Sequence, residues 1–480
     1  MLPPHTASFV NGKPIESDTC FTCENPATQE TICELSSANG SIVDLAVKSA
    51  GIAYEETWGK YSIGKRQKVL ENLAAMIREN KDELIKLEST ENGVPITIVE
   101  KFSVAALEKN ISHFASWIDK ITSDVIPVTS ATGFDFTLKE PFGVAAIITA
   151  YNTPSLFLGS KAGAALAAGN SVVIKPSPLA SFPALKFAQL AKEAGLPDGT
   201  VNVILGDHKV GSDLISNKSV DIISFTGSAF AGKQVANAAN KYLTPTILEL
   251  GGKSPNLIFP DANLDSAAFQ SAIGAFALTG QACVAGSRIY VHEEIYDQLV
   301  DKLIAMTKLL KVGDPAEKQT VLGPLITQSH LNKVTSTVYD AVQKGGNIVL
   351  GGDRPTSELP LGYFFNPTII TGLKESDRIL KDEIFGPIVA VQKFRDEDEA
   401  VRLANDIKYG LGAAVWTKDI SRALRISRQL RAGMIWINAY GVVPHTAPFG
   451  GFKQSGHGKE GGKYGIEMYL QSKNIYVDAN

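Results

Sequence analysis

The residues between 143 and 250 alternate short apolar segments with helical ones, and this alternation constrains the fold more than any other feature. Strands are predicted at 143–150, 171–175, 201–205, 221–225 and 245–250. Helices are predicted between them at 155–168, 181–194, 209–216 and 229–240. A repeat of this kind predicts a parallel sheet with helices on both faces. Ligands of such sheets bind at the carboxyl ends of the strands, where the connecting loops begin.

A second α/β series begins near residue 264. Its predicted strands lie at 287–291, 346–352, 365–370, 387–394, 412–417 and 433–438. No Ser/Gly-rich or Pro-rich linker separates the two series, so two closely joined α/β domains are expected. Before the first series, the N-terminal segment is rich in turns, and helices are predicted at 43–57 and 65–92.

The composition is that of a globular protein. The 480 residues carry a net charge of -4 and are 44% apolar, which gives no basic footprint for nucleic acid. No apolar run is long enough to span a membrane. The N-terminus lacks the basic and apolar regions of a secretory signal. These features predict a cytoplasmic protein without a membrane or nucleic-acid partner.

The chain has four cysteines, of which Cys20, Cys23 and Cys33 cluster near the N-terminus. Cys20 and Cys23 form a C-x-x-C pair, which could indicate a redox or zinc site. No second pair follows at zinc spacing, and no strand-then-helix pattern frames the motif, so two ordinary thiols in a β-rich segment are favoured. The seven histidines show no ligand spacing, and no metal site is predicted.

The fourth cysteine, Cys283, lies among small residues in "FALTGQACVAGSR". Other chemically suggestive residues follow predicted strands: Asn152, Lys175, Glu249 and the Gly-Ser turn at 227–228. Each is ambiguous alone, because a Gly-Ser turn can cap a helix as well as hold a phosphate. A single lysine or glutamate is most often solvated. The usual G-x-G-x-x-G dinucleotide fingerprint is absent.

Four motifs taken together resemble the aldehyde dehydrogenase superfamily, and the resemblance covers essentially the whole chain. They are "LELGGKSPNLIF", "GQACVAGSR", "EIFGPIVAV" and "PFGGFKQSGHGKEGGKYG". The resemblance implies two doubly wound, Rossmann-like α/β domains with parallel sheets, plus a small β oligomerisation domain. The predicted boundaries are 1–122 and 143–250 for cofactor binding, 251–450 for catalysis, and 123–142 and 461–480 for oligomerisation.

The same resemblance implies the catalytic roles. Cys283 would attack the aldehyde carbon as a thiolate. Asn152 and the Cys283 backbone N–H would stabilise the oxyanion of the thiohemiacetal. Hydride transfer to NAD(P) would leave a thioester, and Glu249 would activate the water that hydrolyses it to the carboxylic acid.

Cofactor positions are also implied by the resemblance. They are Ile148, Lys175, Pro178, Gly227, Ser228, Glu383 and Phe385. Many NAD-preferring relatives carry an acidic residue where this chain has Pro178. Without that carboxylate, no negative charge repels the 2′-phosphate of NADP. Lys175 could attract this phosphate, and the hydroxyls of Ser177 and Ser181 are expected nearby. We therefore expect NADP to be tolerated or preferred.

The substrate pocket is expected to be formed by Tyr151, Phe157, Ser160, Ala277, Val443, His445 and Phe449. Relatives often have bulky aromatic residues where this chain has Ser160 and Ala277. Either the pocket admits a wide or aromatic aldehyde, or other side chains fill the space. No arginine occupies the matched positions, which argues weakly against a carboxylate-bearing semialdehyde.

Two alternatives to a hydrolytic aldehyde dehydrogenase are less consistent with the sequence. A coenzyme A-acylating semialdehyde dehydrogenase is disfavoured by Glu249, which members of that group commonly lack. A non-catalytic relative is disfavoured because Cys283, Glu249 and Asn152 are all present. The expected partners are a small-molecule aldehyde and further copies of the chain, as a homodimer or homotetramer, through 123–141 and the last strand.

Overall fold

The computed structural model describes Pro3 and residues 5–478. The β-strands, numbered in chain order, are β1 Ser8–Val10, β2 Lys13–Ile15, β3 Cys20–Glu24, β4 Thr31–Ser36, β5 Val125–Ile126, β6 Gly133–Pro141, β7 Val144–Ile148, β8 Ser171–Lys175, β9 Val201–Val203, β10 Ile222–Thr226, β11 Thr246–Glu249, β12 Pro255–Ile258, β13 Arg288–His292, β14 Asn347–Leu350, β15 Thr368–Thr371, β16 Ile388–Phe394, β17 Gly412–Trp416, β18 Met434–Ile437, β19 Gly456–His457 and β20 Leu470–Asp478.

The α-helices are α1 Gly40–Glu56, α2 Ile63–Glu79, α3 Lys81–Asn92, α4 Ile96–Ile98, α5 Ala105–Trp117, α6 Pro154–Phe157, α7 Gly163–Ala168, α8 Phe182–Glu193, α9 His208–Ile215, α10 Ala229–Ala239, α11 Leu264–Phe276, α12 Tyr296–Thr307, α13 Gln328–Gln343, α14 Arg378–Lys381, α15 Glu397–Asn405, α16 Ile420–Gln429 and α17 Gly462–Glu467. Two π-helical stretches, Val99–Val104 and Leu158–Ala162, lie directly before α5 and α7.

The first sheet confirms the predicted α/β alternation. Its order is β19-β11-β10-β7-β8-β9-β1-β2, and the five strands from β11 to β9 are parallel. Strands β7, β8 and β10 are buried almost throughout, which explains their continuous apolar sequences. The carboxyl ends of β7, β8, β10 and β11 therefore meet at one edge of the sheet.

The second sheet has the order β14-β15-β16-β13-β12-β17-β18 and is parallel except for β14. All six predicted strands of this series are present. Strand β12 lies in the middle of the sheet, between β13 and β17, yet it was not predicted. The strand "PNLI" has only four residues, so its periodicity is too short to recognise.

Two of the predicted helices need correction, and one helix of the structure was not predicted. The helix predicted at 65–92 is two helices, α2 and α3, which meet at Asn80, whose side chain donates to the Met76 carbonyl at 2.8 Å. The helix predicted at 155–168 is interrupted by the π-helical stretch Leu158–Ala162. Helix α5 was not predicted, although it packs against α2 and lies beside the candidate site.

A third, three-stranded sheet has the order β20-β6-β5. Strands β6 and β20 pair antiparallel over nine residues each, as the predicted strand character of both segments required. The domain boundaries remain predictions, and their outer ends at residues 1 and 480 lie outside the described residues. Within the described chain, no helix is long and apolar enough to cross a membrane.

Residues 441–461 connect the two large sheets. The segment leaves the second sheet after β18, and its strand β19 pairs antiparallel with β11 of the first sheet. Phe449 and Glu460 exchange two backbone hydrogen bonds of 2.7 Å, which close the segment into a loop. This loop forms one wall of a cavity between the sheets.

Candidate active site

A cavity of about 370 Å³ lies at the carboxyl edge of the first sheet and contains the three predicted catalytic residues. Asn152 follows β7, Glu249 ends β11, and Cys283 lies in the loop after α11. These residues are far apart in sequence, so the parallel sheet and the loop above it bring them together. The cavity is otherwise mostly apolar in its lining.

The small residues around Cys283 are required by the path of its loop. Leu278 and Thr279 adopt left-handed backbone conformations, and Gly280 has a φ of 69°. A Cβ on Gly280 would overlap the Gly386 carbonyl oxygen, and one on Gly286 would lie 2.8 Å from the Tyr440 ring. The loop is therefore a tight turn in which larger residues could not fit.

Burial raises the pKa of the Cys283 thiol, and the carboxyl groups of Glu383 and Glu249 raise it further. The cysteine is partly accessible from the cavity. Burial and the neighbouring carboxyl groups therefore disfavour the thiolate, so the nucleophile forms only when the thiol loses its proton.

Asn152 is fixed to the Cys283 loop. Its Nδ2 donates to the Gln281 carbonyl at 2.9 Å, and the residue is 5% exposed. Gln281 is held in turn because its Oε1 accepts from the Tyr151 hydroxyl at 3.0 Å and from the Ile326 backbone at 3.1 Å. An amide carries two N–H groups, so Asn152 has a second donor besides the one that holds the loop.

Glu249 is a buried carboxyl group without a hydrogen-bond partner. It is 4% exposed, and neither side-chain oxygen has a partner among the described residues. Burial raises its pKa well above the usual value, Glu460 raises it further, and Lys161 and Lys459 oppose the shift. A buried, unpartnered acid that faces a cavity is suited to exchange protons with a ligand or water.

The sequence analysis did not identify Lys161 and Glu460, which lie beside Glu249. Lys161 is fully buried, forms an ion pair with Glu460 and donates to the Ser224 hydroxyl at 3.0 Å. Ser160 donates to Glu460 at 2.7 Å. A lysine in the Ala- and Gly-rich stretch "GSKAGAALAAG" was the available signal, because a buried charge requires a partner.

Glu383 is held against the Gly-Gly pair after β11. Its Oε1 accepts from the Gly252 backbone at 3.0 Å, and a Cβ on Gly251 would overlap its carboxylate. A Cβ on Gly252 would overlap the Cys283 carbonyl oxygen, so Glu383 lies close to the Cys283 loop. Burial raises the pKa of Glu383 to about 7, against the opposing hydrogen bond from Gly252.

Phe385 follows in a left-handed conformation with a φ of 64°. Its carbonyl oxygen lies 2.7 Å from His330 Nε2, and its ring meets the Tyr151 ring edge to face at 5.9 Å. The aromatic contact places Phe385 behind the loop that carries Asn152. Glu383 and Phe385 thus lie beside the loops that carry Cys283 and Asn152, but neither lines the catalytic cavity, and Glu383 lines a separate cavity of about 140 Å³.

The other predicted cofactor residues meet along the strand ends of the first sheet. Ile148 and Lys175 are register partners at the ends of β7 and β8. Ser228 caps α10 by accepting from the Ala231 backbone at 3.1 Å, directly after Gly227. Burial lowers the pKa of Lys175 to about 8, against the opposing charge of Asp207. A lysine and a helix N-terminus at one sheet edge fit a dinucleotide phosphate.

Pro178 is accessible from a cavity, whereas the nearby Ser181 is buried. Pro178 is half-buried and lines a separate cavity of about 320 Å³, together with Tyr363. Ser181 is fully buried, and its hydroxyl donates to the Ser177 carbonyl at 3.2 Å. The Ser181 hydroxyl is therefore already engaged as a donor within the chain.

Five of the seven predicted pocket residues line the catalytic cavity, namely Phe157, Ser160, Val443, His445 and Phe449. The other two do not. The Tyr151 hydroxyl is bound to Gln281 and its ring to Phe385, while Ala277 ends α11 before the turn that leads to Cys283. The cavity has an additional wall, formed by residues 101–110, that the sequence analysis missed.

The N-terminal cysteines lie outside this site. Cys23 and Cys33 face each other across β3 and β4, and all four cysteines are free thiols. Burial raises the pKa of Cys23, and Glu91 raises it further. In the part of the chain that the structure describes, no group of three or more His, Cys, Asp or Glu side chains could hold a metal ion.

Comparison with known proteins gives a consistent result. The model of the aldehyde dehydrogenase family matches residues 14–475. A betaine aldehyde dehydrogenase from Vibrio vulnificus is 38% identical, over 98% of this chain and 98% of its own length. The peroxisomal aminoaldehyde dehydrogenase 1 of Pisum sativum is 40% identical, over 94% of this chain and 91% of its own length.

Solved structures agree with this result. The betaine aldehyde dehydrogenase of Staphylococcus aureus in complex with NAD+ is 37% identical, covers 99% of this chain and 95% of its own, and has a TM-score of 0.96. The chain therefore belongs to the aldehyde dehydrogenase family. It is an NAD(P)-dependent oxidoreductase that converts an aldehyde to the carboxylic acid.

Proposed function

We propose that Cys283, Asn152 and Glu249 are the nucleophile, the oxyanion donor and the general base of this reaction. The observation that carries the proposal is that all three line a single cavity. The Cys283 thiol releases its proton to water, and the sulfur then bonds to the aldehyde carbon.

The oxyanion that forms lies beside two donors, the Asn152 amide and the Cys283 backbone N–H. Bound NAD(P)+ supplies the hydride acceptor that converts the adduct to a thioester. Glu249 then removes a proton from water as the water oxygen bonds to the acyl carbon. The carbon–sulfur bond breaks, the acid leaves and the thiol is restored.

The dinucleotide is proposed to lie along the strand ends of the first sheet. Gly227 and Ser228 would face its pyrophosphate at the N-terminus of α10. Lys175 and Ile148 would contact the adenosine ribose region, and Glu383 and Phe385 the nicotinamide end. We propose that NADP is accepted, because Pro178 brings no carboxylate to the ribose and Lys175 is a buried lysine at that end of the site.

The pocket is proposed to admit a wide or aromatic aldehyde. Its walls carry small side chains at Ala105, Ala106 and Ser160, and the Ser160 hydroxyl is drawn away by Glu460. These positions leave open space that a large residue would fill. Phe157 and Phe449 supply aromatic surface on the remaining walls.

A homo-oligomer is proposed on the basis of the third sheet. Phe134 and Tyr476 are 51% and 52% exposed on β6 and β20, and exposed apolar strands at a sheet edge favour pairing with another subunit. The separate sheets support the division into two α/β domains and an oligomerisation domain. A cytoplasmic location is supported by the four free thiols.

The nucleophile is tested by Cys283→Ala, with Cys20→Ala as the matched control because Cys20 is an exposed thiol outside the cavity. Formation of NAD(P)H from a simple neutral aldehyde should disappear in the first variant and persist in the second. Oxidation at a substantial rate by purified Cys283→Ala would overturn the assignment. Product analysis with and without coenzyme A should give the free acid in both cases.

The base is tested by Glu249→Gln. If Glu249 is needed mainly for deacylation, the variant should give a burst of about one equivalent of NAD(P)H followed by slow turnover. Rapid-mixing absorbance measurements at 340 nm separate the two phases. Loss of the burst together with the steady rate would place the essential role of Glu249 before hydride transfer.

A further inference from the structure

One wall of the catalytic cavity is formed by a single helical face with two lysines. Lys101 and Phe102 lie in the π-helical stretch before α5, and Ala105, Ala106 and Lys109 lie in α5 itself. Residues 101, 105 and 109 are four apart, which places them on one side of the helix. All five residues line the cavity, together with Asn110.

The two lysines are not neutralised by neighbouring side chains. Both are exposed, and neither forms an ion pair or hydrogen bond within residues 5–478. Of the nearby acids, Glu108 pairs with Arg78 and Glu460 pairs with Lys161, whereas Glu249 lies deeper in the cavity and Glu100 precedes Lys101 on the exposed side of the chain. The mouth of the cavity therefore carries two unpaired positive charges above an apolar interior.

The wall also carries Asn110, an uncharged amide, and two histidines lie near it. Asn110 is buried, with its side chain lining the cavity. His445 contacts His113 edge to face at 5.1 Å. Burial lowers the pKa of His113, and His445 lowers it further. No arginine is among the residues that line the cavity in the described chain, but a lysine can attract an anion as a point charge.

We propose that the preferred aldehyde carries a carboxylate, or an anion of similar charge, at the end remote from its carbonyl, and that Lys101 and Lys109 select it. This inference rests on the proposed function, since it assumes that the carbonyl lies at Cys283. The small side chains of Ala105 and Ala106 let such a substrate extend from Cys283 toward the lysines. The pocket positions matched from the family carry no arginine, but Lys101 and Lys109 supply the positive charge that a carboxylate requires.

The test compares aldehydes that differ only in charge. One set is 4-formylbenzoate, 4-formylbenzamide and 4-(trimethylammonio)benzaldehyde, which are anionic, neutral and cationic. A second set consists of linear ω-carboxy aldehydes with four to eight carbons and their amides. This set varies the distance between the carbonyl carbon at Cys283 and the carboxylate at the lysines. The kcat/KM should be highest for the anion and lowest for the cation, and the difference should shrink as salt is added.

Lys101→Gln, Lys109→Gln and the double variant identify the responsible groups. Each single change should lower the anion-to-neutral ratio of kcat/KM by about two- to fivefold, the range expected for an exposed charge contact. The double variant should lower it further. Lys86→Gln is the matched control, because Lys86 is an exposed lysine on α3 outside the cavity.

The proposal is overturned if no anion is preferred at any length, or if the preference survives in the double variant. A preference for the cation would overturn it as well. Failure of the proposed function has a different signature, namely that the neutral aldehydes are not oxidised by the wild-type enzyme or are oxidised equally by Cys283→Ala.

Discussion

Glu249 and Glu460 illustrate how neighbouring residues of the same type acquire different properties. Glu460 is held by the buried Lys161 and the Ser160 hydroxyl. Glu249 has no partner in the described chain and faces the cavity. Glu249, with its raised pKa and its position in the cavity lining, is therefore suited to transfer protons. The charge of the paired Glu460 contributes to that raised pKa.

Changing Glu460 to Gln should therefore alter the pH profile. The negative charge of Glu460 raises the pKa of Glu249, and the substitution removes that charge. Lys161 remains and continues to lower the pKa of Glu249. Because the base acts when deprotonated, the acid limb of the deacylation rate should move to lower pH. Steady-state rates between pH 5 and 9 measure the shift. A shift to higher pH would contradict the prediction.

The same variant should lose about 3–5 kcal/mol of stability, because Lys161 is left as an unpaired buried charge. Urea unfolding measures this loss, and the rates must be recorded where the variant is folded. Glu108→Gln is the control, since its partner Arg78 is largely exposed. It should lose much less stability and leave the pH profile unchanged.

Pro178 allows a separate test of cofactor choice. Pro178→Glu should lower the ratio of kcat/KM for NADP over NAD by roughly 5- to 150-fold, because a charge contact of this kind is worth ~1–3 kcal/mol. Pro178→Gln adds a hydrogen-bonding group without charge and should have a smaller effect. If the wild-type enzyme already discriminates strongly against NADP, another group excludes the phosphate.

At the scale of the elements, the loop after β11 is positioned by close backbone approach. Gly251 contacts Glu383, and Gly252 contacts the Cys283 backbone, so that side chains at either position would overlap their neighbours. The Gly-Gly pair thus connects Glu249, the Cys283 loop and Glu383, which are the proposed base, nucleophile loop and nicotinamide-end carboxylate. This is a physical reason for the motif "LELGGK".

Gly252→Ala should consequently displace the Cys283 loop. A displacement of about 1 Å can cost roughly 100-fold in rate, and the kcat/KM for a neutral aldehyde should fall by that order. Gly64→Ala in α2 is the matched control, because no atom lies within 4 Å of its added Cβ. It should leave kcat/KM unchanged. Full activity of Gly252→Ala would show that the loop can move without cost.

The strands of the first sheet could be predicted to within a few residues, because burial on both faces makes their sequences uniformly apolar. The catalytic residues could be placed because they follow those strands or match motifs. The partnership of Lys161 with Glu460 could not, since 299 residues separate them and no local pattern links them. The wall formed by 101–110 was missed with its helix, and Tyr151 was misplaced because its hydroxyl binds Gln281.

At the scale of the whole molecule, the third sheet is the proposed contact between subunits. Deletion of residues 471–480 removes most of β20 and should weaken assembly, which light scattering can measure. Tyr476→Ser tests the same surface without removing the strand, since Tyr476 is half exposed. A monomeric wild-type protein at working concentration would count decisively against the proposed oligomer.

The wall at 441–461 has a consequence for the newly made protein. Glu460 follows Cys283 by 177 residues, which is a delay of about 10–35 s at ribosomal rates of ~5–20 residues per second. During that time the nucleophile exists without the loop that completes its cavity. If Cys283 is the nucleophile, we expect a nascent chain not to turn over substrate, and a chain truncated before residue 441 to be inactive rather than a weakened enzyme.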